Sequence, residues 1–408
     1  MGIDGEFSVE FPSWARVGEA FDDRKNLHVF AFDVGEGNCI ILRCGNDTVI
    51  IDAGAGNSPF FDVGSYILPK IISLIRGTNL KAIFVTHPHG DHYSLIKSLV
   101  SEVGYATQPP EVYLGGTEAS WKSFGPDILS SLGGLHITFV TDRNSVNNEH
   151  IPDFLQNTEF SFVLPKVYKC TGNPNQCSFF LRIDHNYNAK CSFLFTGDAY
   201  KSNFDGIIGA VHNSAHARLL HNAIDPKYRT SFTLQRDTEP DEFFKRNRRM
   251  LQGVGVLFHP HHGSDSNGSQ DIPSYLLGLK NPPAACVISS FVERSDHNPP
   301  GSSIRMVPKN VAHPLHTVTF WRGGKRGDST ASKDFKFTDR RIYVTEAAPG
   351  GAYWFRSTGD DIELFNAYKN SFAGRDGECH IGFCSIFRDY TDFNAEISRR
   401  NAQIIDDD

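Results

Sequence analysis

Nowhere in the 408 residues does an apolar run approach the roughly eighteen that a helix needs to cross a bilayer, so no membrane partner is expected. Basic surplus is lacking as well: 40 lysines and arginines stand against 47 aspartates and glutamates, a formal net charge of −7. A polyanion would find no global attraction and would have to be held by a local patch. The one conspicuous basic run is Lys245-Arg246-Asn247-Arg248-Arg249, after Phe243-Phe244. It reads either as a solvated helix face or as a phosphate-contacting patch. Cys-x-x-Cys pairs are absent too. The eight cysteines (39, 44, 170, 177, 191, 286, 379 and 384) are scattered and read as reduced core thiols. Cys379-His380 with Cys384 resembles half a metal site, with no second half in view. The first residues are acidic where a secretory signal would be basic, and no apolar core follows, so a cytoplasmic location is expected.

What is present is a series of short apolar strands ending in polar turns. Leu27–Val34, Cys39–Leu42 and Val49–Ile51 alternate with the turns at Gly35-Glu36-Gly37-Asn38 and Gly45-Asn46-Asp47. A helix-like segment, Tyr66–Ile75, precedes the strand Ala82–Val85. After a mixed middle come strands at Ser178–Ile183, Ser192–Thr196, Gly255–Phe258 and Ala284–Ser289. Others follow at Thr317–Trp321, Arg341–Val344, Ala352–Phe355 and Ile362–Phe365. Residues 200–252 read as polar and helical, and those from about 367 onward as irregular. Strand-then-helix blocks in both halves are what two sheets covered by outer helices would produce.

Three strand ends carry metal-type side chains. Ala82–Val85 runs into Thr86-His87-Pro88-His89-Gly90-Asp91-His92, Ser192–Thr196 into Gly197-Asp198, and Gly255–Phe258 into His259-Pro260-His261-His262-Gly263-Ser264. Imidazoles and carboxylates are ligands that Zn²⁺ and its neighbours accept. Ligands that each follow an apolar strand are expected to converge at one edge of a sheet. Asp33 and Asp52, ending neighbouring strands, read either as acceptors that orient ligand imidazoles or as turn residues.

The His-x-His-x-Asp-His run, with Asp198 and the later histidine pair, resembles the metallo-β-lactamase fold superfamily. More narrowly, Phe32–Cys39, Ile51–Gly54, Leu194–Asp198 and His261–Ser264 look like the soluble hydrolase domain of ComEC, the bacterial DNA-uptake channel. So do Ala285–Ser289, the His297-Asn298-Pro299 turn and the Arg341–Phe365 strands. The similarity covers roughly residues 27–366. It implies an α/β four-layer αββα sandwich of two mixed sheets flanked by helices. An N-terminal extension (1–26), an insertion at about 200–252 and a C-terminal extension (367–408) would lie outside the shared pattern.

The resemblance also implies roles. His87 and His89 would bind a first divalent ion and Asp91 and His92 a second. Asp198 would bridge the two, and His262 would complete the second; His261 is the alternative to His262. Asp91 and Asp198 would be the catalytic carboxylates, and Tyr93, Ser264 and His297 substrate contacts. Tyr93 also reads as a core tyrosine. The ions would be Zn²⁺ or Mn²⁺. Most superfamily members supply a further histidine to the first metal. Here His136, His150 and His185 are the candidates, none in the expected glycine-rich setting. The Asn-x-x-Ser of the ComEC-like pattern, Asn175 to Ser178, stands in its place, with Asn175 as a weak oxygen ligand. His212 and His216, with His221 nearby, read as surface histidines.

The implied function is a dinuclear metal-dependent phosphodiesterase or nuclease, acting on single-stranded DNA or a nucleotide. Hydrolysis of a lactone, thioester or β-lactam is the alternative within enzymes. A regulatory or interaction subunit, docking a protein partner through residues 200–252 or 367–408, is the alternative outside them.

Overall fold

In the computed structural model the described residues are 25–56, 62–103, 108–141, 151–165, 172–209, 242–264, 266–269, 271–277, 279, 282–290, 298–300, 303–304, 307, 316–322, 332–338, 342–345, 352–369, 379–385 and 390–391. The strands begin with β1 (Leu27–Phe32), β2 (Cys39–Cys44), β3 (Asp47–Ala53), β4 (Asn79–Val85), β5 (Glu111–Gly115) and β6 (Ile137–Val140). A second group comprises β7 (Thr158–Val163), β8 (Phe180–His185), β9 (Asn188–Phe195), β10 (Val256–Phe258) and β11 (Ala285–Ile288). β12 (His316–Arg322) and β13 (Ser332–Thr338) form a separate hairpin. Last come β14 (Ile342–Val344), β15 (Ala352–Ser357), β16 (Ile362–Lys369), β17 (Cys379–Ser385) and β18 (Tyr390–Thr391).

Two mixed sheets result. One has ten strands in the order β18-β17-β16-β15-β1-β2-β3-β4-β5-β6; the other has six, β14-β11-β10-β9-β8-β7. β3 to β6 run parallel, as do β9, β10, β11 and β14, whereas β8 is antiparallel to β9.

The two-residue period of a strand sorts its side chains into layers. On β4, Ala82 and Phe84 enter the cluster between the sheets, while Ile83 and Val85 face the outer helices. On β9 and β10, Phe193, Phe195, Val256 and Phe258 face inward, and Leu194 and Leu257 face out. The outer cluster on the ten-stranded sheet is closed by the helices Leu68–Ile75, Ile96–Val103, Glu118–Phe124 and Pro126–Ser131. The helices Lys201–Ile208 and Asp271–Leu277 cover the six-stranded sheet, as Phe204, Ile207 and Tyr275 show. The layers are therefore helix, sheet, sheet, helix, as expected. Phenylalanine stitches the sheets together: Phe84 of β4 stacks on Phe160 of β7 with centroids 5.9 Å apart, and Phe193 meets Phe355 edge-on at 6.4 Å. Each such ring contributes about 1.5–3 kcal/mol by burial.

The structure corrects the sequence reading in three places. β5, β6 and β7 occupy the mixed middle, where strands of four to six residues are too short to give a clear periodic signal. Beyond 367 the chain is not irregular throughout: β17 pairs with β16 along seven residues. An open strand edge recruits segments of weak intrinsic preference, and Gly382 dilutes that signal. Finally, Cys177 is disulfide-bonded, whereas Cys39, Cys44, Cys191 and Cys286 are free and buried.

Candidate metal centre

The loop after β4 is held in shape before any ligand is considered. Asp52, at the end of β3, accepts from the Thr86 backbone N–H at 2.7 Å and lies 2.9 Å from the Thr86 hydroxyl. Asn38 N–H donates to the Asp91 carbonyl at 2.9 Å, and Leu95 N–H to that of Ala53 at 2.8 Å. Gly54 is where the two loops touch: a Cβ there would sit 2.0 Å from the Asp91 carbonyl carbon. Only glycine admits that approach.

From this frame the side chains converge. His92 Nδ1 lies 2.9 Å from Asp52 Oδ2, and its Nε2 lies 3.1 Å from Asp198 Oδ1. His262 Nε2 is 3.5 Å from both Asp198 Oδ1 and Asp91 Oδ2. His87 Nε2 is 3.7 Å from Asp198 Oδ2 and 3.0 Å from His89 Nδ1. Two overlapping groups emerge, His87–His92–Asp198 and Asp91–His92–His262, with ligand atoms within 4.8 Å of one another in each. Ligands about 2.0–2.1 Å from a tetrahedral ion stand about 3.3 Å apart, close to these spacings. His89 is outside both groups, although its Nδ1 is beside His87 Nε2.

His262 is aimed by its backbone. His261 and His262 have φ of 53° and 51°, a left-handed conformation costly for residues with a Cβ, and Gly263 follows at 78°. His262 Nδ1 donates to the Ser289 carbonyl at 2.8 Å, which turns Nε2 toward the carboxylates.

The residues present fit divalent ions on one direct observation. His92 Nε2, Asp198 Oδ1 and His262 Nε2 are buried and make no hydrogen bond. Unpaired buried polar atoms cost free energy, and a cation among them would remove that cost. The charges agree. Burial acts to lower the pKa of His92, yet Asp198 and Asp52 hold it well above its ordinary value. Burial also opposes protonation of His262, but Asp198 and Asp91 keep it raised. Burial, with the His92 charge, pushes His87 well below its ordinary value, leaving a neutral imidazole.

Other anticipated residues take different places. Asp33 accepts from the Gly35 backbone N–H at 3.3 Å, as a turn residue does. The Tyr93 hydroxyl donates to the Phe124 carbonyl at 3.1 Å and its ring packs on Trp121, so it locks two helices. Ser264 Oγ meets Ser266 Oγ at 2.9 Å. His261 has Asn175 Nδ2 3.2 Å from its Nε2, and Ser266 and Ser269 hydroxyls within 3.3 Å of its Nδ1. His136 pairs with Glu111 on the surface, and His185 Nδ1 lies 2.8 Å from Ser357 Oγ in the core, so neither joins the cluster. His150, His212, His216, His221 and His297 lie outside the described residues.

The basic run is structural for two of its members. Asn247 Nδ2 donates to the carbonyls of Leu164 and Ile207, and Arg248 to that of Ile208. Lys245 pairs with Glu242, and Arg249 is exposed.

Sequence reasoning missed Asn38, Thr86, Asn173, Ser178 and Tyr200. Asp198 N–H donates to Ser178 Oγ at 3.1 Å, and Tyr200 OH accepts from Asn173 Nδ2 at 3.1 Å and Asn175 Nδ2 at 3.2 Å. Only Ser178, within the Asn-x-x-Ser pattern, carried a signal.

A family model, that of the metallo-beta-lactamase superfamily, matches residues 32–244. A search of curated proteins found no match. Among solved structures the chain is similar to the metallo-beta-lactamase fold protein YhfI from Bacillus subtilis, at 13% identity over 65% of this chain and 98% of that one (TM-score 0.31). It is also similar to unliganded yeast PDE1, at 12% identity over 57% of this chain and 74% of that one (TM-score 0.32). Human tRNase Z, short form, is similar at 12% identity over 57% of this chain and 91% of that one (TM-score 0.28).

Proposed function

The chain belongs to the metallo-beta-lactamase superfamily, and from that premise we propose that it is a hydrolase carrying two divalent ions, Zn²⁺ or Mn²⁺, and acting on phosphodiesters. The observation that carries the reading is the set of orphaned ligand atoms around Asp198, an oxygen and two imidazole nitrogens buried without hydrogen bonds. His87, His89 and Asp198 would hold one ion. Asp91, His92, His262 and Asp198 would hold the other. Two such ions, when bound, acidify a shared water and stabilise the oxygens on which negative charge develops.

This chain's residues prepare the site in three ways. Asp52 keeps the His92 proton on Nδ1 and the Ser289 carbonyl does the same for His262, so both Nε2 lone pairs face inward. Asp198, Asp91 and Asp52 create a negative potential that is met by imidazole protons, and cation binding would release those protons. Burial of His87, His92, Asp198 and His262 excludes competing water. The phosphodiester preference, with a nuclease acting on single-stranded DNA in first place, rests on the resemblance of Phe32–Cys39, Leu194–Asp198 and His261–Ser264 to the ComEC hydrolase domain.

The test is a panel of single-stranded DNA, RNA, cyclic nucleotides, a bis-aryl phosphate and acyl esters, assayed with Zn²⁺ or Mn²⁺ supplied. Cleavage of a phosphodiester, reduced by about 10³-fold or more in Asp198→Ala, supports the reading. Turnover of acyl esters alone would replace it with the acyl-hydrolase alternative. Unchanged phosphodiesterase activity in Asp198→Ala would defeat the assignment of this centre.

A further inference from the structure

We infer that Phe124 is a stacking shelf for a nucleobase, set beside the metal centre and held there by Tyr93. The inference rests on the phosphodiesterase reading above and narrows its substrate to esters that carry a base.

Topology brings Phe124 to the edge of the centre. β4 and β5 run parallel, so the chain leaves β5 on the side where β4 delivers the histidine loop. The two exits touch: a Cβ on Gly115, the last residue of β5, would sit 1.8 Å from the Thr86 carbonyl oxygen. The helix Glu118–Phe124 follows at once. Its start is capped by the Thr117 hydroxyl, which accepts from the Ser120 N–H at 3.1 Å.

That helix is fastened at two points. Trp121, fully buried, donates through Nε1 to the Gly115 carbonyl at 2.9 Å. Tyr93, directly after His92, donates its hydroxyl to the Phe124 carbonyl at 3.1 Å and rests its ring on Trp121 with centroids 5.7 Å apart. The chain just beyond is packed as closely: a Cβ on Gly125 would meet the Trp121 ring at 2.9 Å and the Tyr93 ring at 3.3 Å. One tyrosine side chain thus spans from the loop bearing Asp91 and His92 to the Phe124 backbone.

The Phe124 ring itself is 42% exposed. Single exposed apolar side chains are ordinary on a protein surface. Among the described residues, however, the large hydrophobics in this state are two, Phe124 and Tyr187. Tyr187 lies in the turn between β8 and β9, at the far end of the strand that leads to Asp198. Of the pair, Phe124 is the one at the metal edge, and its backbone is pinned.

The chemistry of the helix selects the part of a nucleotide that would lie there. Lys122 is its one basic residue, and the ammonium is 2.7 Å from Glu118 Oε1. Asp127, exposed just beyond, adds negative charge. A phosphate gains little on such a surface, whereas a neutral base presents a π-face to any aromatic ring. The phosphate would go to the metal ions and the base to Phe124, an arrangement that tolerates any sequence but requires a base.

The experiment uses the full chain supplied with Mn²⁺ and two strands of equal length, oligothymidylate and a strand of abasic sugar-phosphate units. Phe124→Ala should raise KM about tenfold on oligothymidylate and leave kcat, metal content and melting temperature at wild-type values. On the abasic strand it should match the wild type. The salt dependence of oligothymidylate binding, read by fluorescence anisotropy, should keep its slope, because no phosphate contact is lost. Phe124→Trp should restore KM, and Tyr187→Ala should change nothing. The same loss on a cyclic mononucleotide would seat the base at the cleaved phosphate on the shelf; a loss confined to the strand would seat a flanking base there. An unchanged KM for Phe124→Ala on oligothymidylate, or an equal rise on both strands, would overturn the shelf and leave the phosphodiesterase reading intact. No cleavage of either strand or of the cyclic nucleotide by the wild type would overturn that reading, and this inference with it.

Discussion

Asp52 shows how much one carboxylate can organise. It ends β3, takes the Thr86 backbone N–H and hydroxyl, and holds His92 Nδ1, all within 3.1 Å. Asp52→Asn should keep the fold but present an N–H where His92 needs an acceptor, and metal affinity should fall about 10–100-fold, as read by titration with Zn²⁺. An unchanged constant would mean that His92 is oriented by packing alone. The carboxylates and imidazoles of the centre were legible in the sequence because each follows an apolar strand, and strand ends share an edge. Asp52 itself was readable only as one of two things, an orienting acceptor or a turn residue. Tyr200 and Asn173 were silent, since a tyrosine and an asparagine near strand ends are ordinary until folding brings them together. Tyr93 could be read in sequence as a pocket residue or as a core tyrosine; in the fold its hydroxyl donates to the Phe124 carbonyl and its ring packs on Trp121.

At the scale of elements, the site depends on how closely two loops approach. Gly54→Ala would drive a methyl group into the Asp91 peptide, whereas a Cβ at Gly90 meets nothing within 4 Å. Gly54→Ala should therefore lower the melting temperature and the metal content together, and Gly90→Ala should leave both near wild type. Equal behaviour of the two variants would show that the loop has room to move. The basic helix Glu242–Met250 carries a similar lesson in reverse. The carbonyl of Met250, its last residue, and that of Gln252 just beyond it are taken by Arg182 of β8, itself paired to Asp184 at 2.7 Å. A run of positive charge suggested a surface, yet Arg248 is buried and Asn247 bridges two carbonyls. Charge patterns in sequence do not reveal which orphan carbonyls a neighbouring element will offer. The apolar stretches of β1 and of the second half of β9 were legible because burial on both faces leaves little ambiguity in the pattern, whereas β5 to β7 are only four to six residues long.

Across the whole molecule, two buried histidines outside the candidate cluster, His28 and His185, should set the acid limit of the fold. His28 is fully buried, and Trp354 Nε1 donates to its Nδ1 at 3.0 Å, so that nitrogen carries no proton in the folded state. Burial, with Arg356 and Arg43, pushes its pKa down to about 3, and burial pushes His185 down to about 4. Both folded values lie below the unfolded 6.5. The stability they contribute is therefore full above about pH 6.5 and is lost as pH falls through 4 and then 3. The melting temperature should decline over that window, with Trp354 fluorescence changing as His28 takes up a proton. In His28→Gln the decline should be shallower; an identical profile would place the acid sensitivity elsewhere. No helix among the described residues is long and apolar enough to cross a membrane.

The carboxylate of Asp198 reaches His87 and His92 from the opposite sheet. With cations between them, that meeting acts as a removable rivet: it fixes residues near 90 to residues near 198 and 262, closing two long loops of chain at one point. Such a rivet shrinks the unfolded ensemble only when the ion stays bound, so folding and metal supply become one equilibrium. Chelation should lower the melting temperature by an amount that depends on free metal concentration and speed proteolysis of the whole sandwich; a melting point indifferent to chelator would mean the sheets need no such fastening. Metal supply would then control how long the protein lasts.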